Sequence, residues 1–300
     1  MDKTKYSENI ITLALVKYAG VNPRTYDLLL QRFQSLDEIL LAEDYELAEI
    51  EGISKGAAIR IAKVGKHLEQ AVGYSSQLSK RDIRILSRFE ESYPSHLMEI
   101  NDPPPIIYGR GRVLENAGKS IALIGAEEAT LEGIALTTQI AKELTTKKVQ
   151  VLSALEKGNA AAAHLGCKAA GGHSYAVIES GFDQIRGETE IPLAIDIVQT
   201  GGIFSEYPPN AVKGKNSFSQ SNRLVAGMSQ AVVVTEFYEK SIRAHDILEY
   251  CHQIGKLSFV LTDPKNGALS DETSLTLAVK RGAIIMSGPN RIDDIIKALV

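Results

Sequence analysis

SIALIGAEEATLEGIALTTQIAKELTTKKVQVLSALEKGNAAAAHLGCKAAGGHSYAVIESG, residues 120–181, decides the fold. Three short apolar runs, SIALIG, VQVLSAL and HSYAVIESG, read as strands. Between them lie two helix-length segments, Leu131 to Leu144 and the alanine-rich stretch from Asn159 to Ala170. The alternation continues outward: IPLAIDIVQTGG reads as a helix, and GIFSEYP, AVVVTEF, KLSFVLTD and AIIMSG read as further strands separated by helical segments. Near-continuous apolar strands alternating with helices predict an α/β, Rossmann-like, mostly parallel sheet with helices on both faces. Ligands of such sheets sit at the carboxyl ends of the strands. That rule selects the loops after Ile124, Leu152, Ile178, Phe204, Glu236 and Leu261.

Toward the amino terminus the pattern changes. Ile10, Leu13, Ala14 and Lys17, then Tyr26, Leu29, Leu30 and Phe33, then Leu36, Ile39 and Leu40 follow helical spacing. Asn22-Pro23 has the form of a helix cap followed by proline in the first turn. LAEIEGISKGAAIRIAKVGKHL reads as two helices joined by a glycine-containing hairpin, and GYSSQLS as a linker. The expected organisation is a small all-helical domain of the SAM-like or helix-hairpin-helix kind over 1–76, then the Rossmann-like domain over 77–300, with 77–118 as an irregular lead-in punctuated by Tyr93-Pro94 and Asp102-Pro103-Pro104-Pro105.

With 300 residues, 44% hydrophobic, the chain can bury a sizeable core without disulfide or metal staples. Cys167 and Cys251 form no disulfide framework and fit a reducing compartment. No run approaches the roughly 20 apolar residues of a membrane span, and the first residues read as an amphipathic helix, not a signal peptide. A cytoplasmic location without membrane association is expected. The net charge of −4 argues against indiscriminate polyanion binding but leaves room for a local basic groove.

Several ordered motifs carry a resemblance. SALEKGNAAAAHLGCKAAGGHSYAVIESGFD, GGIFSEYPPN and NSFSQSNRLVAGMSQAVVVTEF resemble, in order and spacing, successive segments of the DNA-processing protein A (DprA/Smf) family. The last is similar to the family's Phe-Pro-x-Arg-Asn-Arg-Ile-Ile-Ala-Gly-Leu-Ser signature, with Ser219 and Ser221 as departures. ESYPSHLMEINDPPPIIYGRG and SLTLAVKRGAIIMSGPNRIDDIIKAL resemble the beginning and end of the same domain. The resemblance implies binding of single-stranded DNA, homodimerisation through the Rossmann-like domain and loading of a RecA-type recombinase during DNA uptake and recombination. The reading expects no C-terminal winged helix, since the chain ends at Val300. Three departures weaken the implied DNA contact. Gly125-Ala126-Glu127 stands where the family has Gly-Ser-Arg, replacing a phosphate-pairing arginine by a carboxylate. The Ser-Gly-Ser turn is missing or shortened in Phe237-Tyr238-Glu239-Lys240-Ser241-Ile242, which offers no glycine, and Asp263-Pro264 replaces a Pro-Gly.

The candidate nucleic-acid-binding residues are Gly125, Ser153, Lys157, Gly158, Asn159, His164, Gly181, Lys213, Lys215, Asn222 and Arg223. Ser153 to Gly158 follows a strand and precedes the helix of Asn159, a place where backbone N–H groups attract anions; Glu156 is a local counter-charge for Lys157. Asn222 and Arg223, read as part of a loop region with Lys213 and Lys215, would track a sugar–phosphate backbone. The competing reading makes Arg223 a structural ion pair with Glu206 or Glu236. His164 reads either as a packed, hydrogen-bonded histidine or, by the motif match, as a site residue. Gly181 ends a strand on the ligand side. In the hairpin, Lys55, Arg60 and Lys63 would carry any phosphate contact, although Glu49 and Glu51 flank it.

No cofactor is expected and no enzyme: there is no His/Cys metal spacing, P-loop lysine or nucleophile elbow. An alternative class, a nucleotide-hydrolysing enzyme such as a nucleoside-monophosphate phosphoribohydrolase, would use Glu206 and Glu236 but lacks the Gly-Gly-x-Gly-Thr loop. A third is a degenerate paralogue that keeps the fold and has lost the ligand.

Overall fold

The computed structural model describes residues 5–262, 269–288 and 291–299. Its chain forms two compact units, Met1–Tyr93 with Asn101–Gly109, and Pro94–Ile100 with Arg110–Val300.

The first unit is built from α1 (Glu8–Ala19), α2 (Pro23–Arg32), α3 (Leu36–Leu41), α4 (Asp44–Ala48), α5 (Lys55–Ala62) and α6 (Leu68–Ser79), followed by neighbouring strands β1 (Ile83–Ser87) and β2 (Ile106–Gly111). Asn22 caps α2 as its sequence implies, its side chain accepting from Thr25 N–H at 2.8 Å. Gly52 turns the chain between α4 and α5 at φ 97°, and Ser54 caps α5. GYSSQLS is the second half of α6 instead of a linker, because Leu68, Ala71 and Leu78 share a buried face that continues the helix through it. β1 and β2 lie in the lead-in that reads as irregular; each is short and bounded by turn residues, which hides its period.

The second unit alternates β3 (Ser120–Ile124), α7 (Leu131–Thr146), β4 (Gln150–Ala154), α8 (Asn159–Ala169), β5 (Ser174–Val177), α9 (Glu190–Thr200), β6 (Gly202–Ser205), α10 (Ser217–Gly227), β7 (Ala231–Val234), α11 (Ile242–Ile254), β8 (Leu257–Thr262), α12 (Glu272–Lys280), β9 (Ile284–Ser287) and α13 (Ile292–Ala298). Its strands run in the order β6-β5-β4-β3-β7-β8-β9, each paired in parallel with its neighbours. The chain winds outward from β3 to β6, then returns to β7 beside β3 and winds the other way, so the topological switch lies between β3 and β7. Alternate strand residues point to opposite faces. Ile121, Leu123, Val151, Val233 and Phe259 pack on one face with Ile140, Leu144 and Ile295 from α7 and α13. Ala122, Leu152 and Val232, out of phase with them, are buried as well. Both faces are therefore covered, and function is left to the loops at the strand ends.

Candidate functional site

At the carboxyl ends of β4 and β5 the structure opens a cleft of about 330 Å³, bordered by Ala154 to Glu156, Val177 to Ser180, Gln184 to Arg186 and Glu190, with Glu127, Lys213, Phe218 and Arg243 around it. Its centre is Arg243, in the first turn of α11, whose side chain is only 5% exposed. Nε donates to Glu156 Oε1 at 2.7 Å, and Nη2 donates to Glu156 Oε2 at 2.8 Å and to Glu179. Nη1 donates to Ser221 Oγ at 3.3 Å and to Asn222 Oδ1. The guanidinium also sits 4.5 Å from the centre of the Phe218 ring. This one side chain thus ties the loops after β4 and β5 to α10 and α11. Lys213 completes the group with an ion pair to Glu179 at 2.8 Å.

The two carboxylates respond differently to their burial. Glu156 is held above the usual carboxylate range by desolvation, reinforced by Glu127 and Glu179 and only partly offset by Arg243. Burial also opposes charge on Glu179, but Lys213 and Arg243 together outweigh it and hold the group below its usual value.

Of the sequence candidates, Lys213 lines the cleft, and Lys157 and Lys215 are exposed on the segments that adjoin its lining in sequence. Lys157 reaches Glu127 and Glu128 at 3.7 and 3.9 Å, whereas Glu156, its sequence-assigned counter-charge, pairs with Arg243. Gly158 adopts φ +74°, and a Cβ there would lie 2.3 Å from Ala126 O, so the turn into α8 accepts only glycine. Asn159 is fully buried: its Oδ1 accepts from Ala126 N–H at 2.6 Å, and its Nδ2 donates to Thr137 Oγ1 at 2.9 Å. Gly125 makes room for that side chain, since a Cβ there would meet Asn159 Oδ1 at 2.4 Å. Ser153 is buried, donating to Leu123 O at 2.7 Å. Gly181 packs against the Pro208 and Pro209 carbonyls.

His164 is buried on α8, with Nε2 3.0 Å from Ala154 O and Nδ1 2.8 Å from Ser174 Oγ. A carbonyl only accepts, so Nε2 carries the proton and Nδ1 accepts from the serine. Desolvation lowers this imidazole to about 4, so it stays neutral.

Asn222 and Arg223 are not on a loop. Both lie inside α10 and are buried, because α10 begins at Ser217, seven residues before the apolar run that starts at Leu224. Arg223 pairs with Glu206 and donates to Gln220 Oε1 at 2.9 Å, the first of the two partners its sequence context offered. Asn222 Nδ2 donates to Asp246 at 2.6 Å. Glu206 and Glu236 do not share a cleft: they follow β6 and β7, which β5, β4 and β3 separate. Glu236 is fully buried beside the start of α7, its Oε1 accepting from Thr130 N–H at 3.0 Å. Gly133, in the first turn of α7, leaves it space; a Cβ there would lie 2.0 Å from Glu236 Oε2.

Arg243, Glu179 and Phe218 escaped the sequence reading. The signal was present: the turn that lacks Ser-Gly-Ser leads directly into Ile242-Arg243. Among the described residues no cluster of three or more His, Cys, Asp or Glu side chains is arranged to hold a metal ion, and no helix is long and apolar enough to cross a membrane. Asp263-Pro264 and the rest of the loop after Leu261 fall outside the described residues.

A doubly wound sheet with a charged cleft above its strand ends and a glycine-tight strand–helix turn defines a Rossmann-like protein. Residues 84–299 match the family model for DNA recombination-mediator protein A, and the chain belongs to that family. It is 27% identical over 299 residues to Protein Smf of Synechocystis, spanning 95% of this chain and 72% of that protein. It is 29% identical over 192 residues to the DNA processing protein DprA of Bacillus subtilis, spanning 63% of this chain and 65% of the relative. The solved DNA processing protein A of Streptococcus pneumoniae has the same fold, with a TM-score of 0.78 at 22% identity, covering 100% of this chain and 99% of that one. That of Helicobacter pylori gives 0.63 at 24% identity, covering 73% and 97%.

Proposed function

We propose that the chain binds single-stranded DNA at the cleft above β4 and β5 and serves in recombination as a mediator that loads a RecA-type recombinase, acting as a homodimer in the cytoplasm. The observation that carries this reading is the family match over 84–299, which takes in the whole of the parallel sheet and the cleft. The Helicobacter pylori relative is described by its single-stranded-DNA-binding mode, which supports the same ligand here. Lys157, Lys213 and Lys215 supply exposed cations around the edge, suited to a sugar–phosphate backbone. The buried candidates Gly125, Ser153, Gly158, Asn159, His164 and Gly181 shape the turns, and Asn222 and Arg223 brace α10. Helices α1 to α6 are assigned a supporting role, with Arg60 Nε donating to Ala19 O at 3.0 Å.

The test is a fluorescence-anisotropy titration of a labelled single-stranded oligonucleotide at two salt concentrations. Binding that weakens with salt and tolerates sequence is expected. A folded sample that does not bind at low salt would remove the reading. Light scattering on the same sample reads the dimer, and recombinase filament growth on coated DNA reads the loading step.

A further inference from the structure

Around Arg243 the cleft presents hydrogen-bond acceptors. An arginine has five N–H donors, and Arg243 makes five hydrogen bonds to Glu156, Glu179, Ser221 and Asn222. It has no donor left for a phosphate. Its side chain is 5% exposed, whereas those of Glu156 and Glu179 are 18% and 14% exposed. Beside Arg243 a ligand therefore meets carboxylate oxygen, while the exposed Arg186 and Lys213 line the cleft around it. An ionised carboxylate has about four lone-pair sites. Glu156 accepts two bonds, both from Arg243, and Glu179 accepts one from Arg243 and one from Lys213. Acceptor capacity thus remains on both, and a phosphate entering between them would face like charge.

Resting on the reading above that the ligand is single-stranded nucleic acid, we infer that the strand enters this cleft base-first, with its phosphates left on the lysines at the rim, and that Glu156 and Glu179 favour bases carrying an exocyclic amino group over those carrying a carbonyl at the same position. Lys213 spans the two regions, since it lines the cleft and is 68% exposed. Phe218, half-buried beside Arg243, gives the entering base an apolar wall. A cytosine 4-amino group donates to a carboxylate. A uracil 4-carbonyl at the same place repels it and leaves a desolvated acceptor unpaired.

Oligo(dC) and oligo(dU) of equal length differ at each base in that group and in N3, an acceptor in cytosine and an N–H donor in uracil, so their dissociation constants at pH 7.5 and equal salt weigh the amino donor against the carbonyl with its neighbouring N–H. Oligo(dC) is expected to bind about tenfold tighter, and Glu179→Gln is expected to reduce the ratio toward one. Equal binding, or tighter binding of oligo(dU), overturns the inference while leaving the proposed function standing. Free cytidine and uridine titrated against the wild-type chain, followed by chemical-shift changes, read the same preference without a variant or a phosphate backbone. If neither oligonucleotide binds, the proposed function fails. Cytidine-selective shifts would then still uphold the amino-group preference of the cleft, and their absence would overturn it.

Discussion

Two crevices lie along the carboxyl edge of the parallel sheet, and the chain treats them in opposite ways. Between β3 and β7, where the winding direction reverses, Glu236 fills the space and places its carboxylate at the start of α7. Above β4 and β5 the space stays open, and two of the carboxylates lining it, Glu156 and Glu179, are held by Arg243. A helix amino terminus favours negative charge whether the anion comes from a ligand or from the chain itself. At the switch point the chain supplies its own. Topology nominates an edge for ligands, and side chains then decide which crevice along that edge remains available.

Removing Arg243 tests that contrast most severely. Arg243→Met leaves Glu156 and Glu179 buried without their shared cation, and is expected to cost about 3–5 kcal/mol of unfolding free energy at pH 7.5, measured by urea denaturation. A loss under ~1 kcal/mol would show that the cluster behaves as a surface ion pair. The two carboxylates are also separable by pH. Glu179 is held below its unfolded value, so its contribution is present above the carboxylate range and is lost as pH falls. Glu156 is held above its unfolded value, so its contribution is present in acid and lost as pH rises through the folded value. Glu156→Gln should therefore steepen the acid loss of stability and Glu179→Gln should flatten it.

His164 lies beneath the open cleft, bonded to Ala154, which lines it. Its folded value is about 4 against a reference of 6.5, so the neutral form is stabilising above pH 6.5 and that stability is lost as pH falls toward 4. The difference corresponds to about 3 kcal/mol across that window. His164→Gln should remove this component of the pH dependence. A profile between pH 6.5 and 4 that is the same for both proteins would exclude the histidine as its source.

The closed crevice is tested from its small residue. Gly133→Ala directs a methyl group at the Glu236 carboxylate and is expected to cost about 1–3 kcal/mol. Combined with Glu236→Ala it should cost less than the sum of the two single changes. Strict additivity would mean that the two residues do not share the space.

The sheet was legible because it depends on apolar runs such as SIALI and AVVVT, whose burial is set by a local period. The site was less so, because its ion pairs join Glu156 to Arg243 across 87 residues and Glu179 to Arg243 across 64. No local spacing encodes such partners. Asn222 and Arg223 show the same limit from the other side. The motif marked both residues, but only the fold reveals that α10 turns them inward onto Asp246 and Glu206. Helix ends failed for a related reason: Leu78 extends α6 through a serine- and glycine-containing stretch because its burial outweighs local propensity.

The mildest change falls on the rim of the open cleft. Lys213 is 68% exposed, and its ion pair with Glu179 is largely solvated on the lysine side, so Lys213→Ala should alter stability by less than ~1 kcal/mol. Its effect belongs in the salt dependence of binding instead. Each cation that neutralises a phosphate of a single strand contributes about 0.7 to the slope of log affinity against log salt. Lys213→Ala should lower the slope by about that amount, with Lys157→Ala and Lys215→Ala acting in the same direction. Glu236 is fully buried and is no cation, so Glu236→Gln should leave the slope unchanged. A slope that responds to Glu236→Gln but not to Lys213→Ala would move the bound strand from the cleft to the switch point, and reverse the contrast between the two crevices.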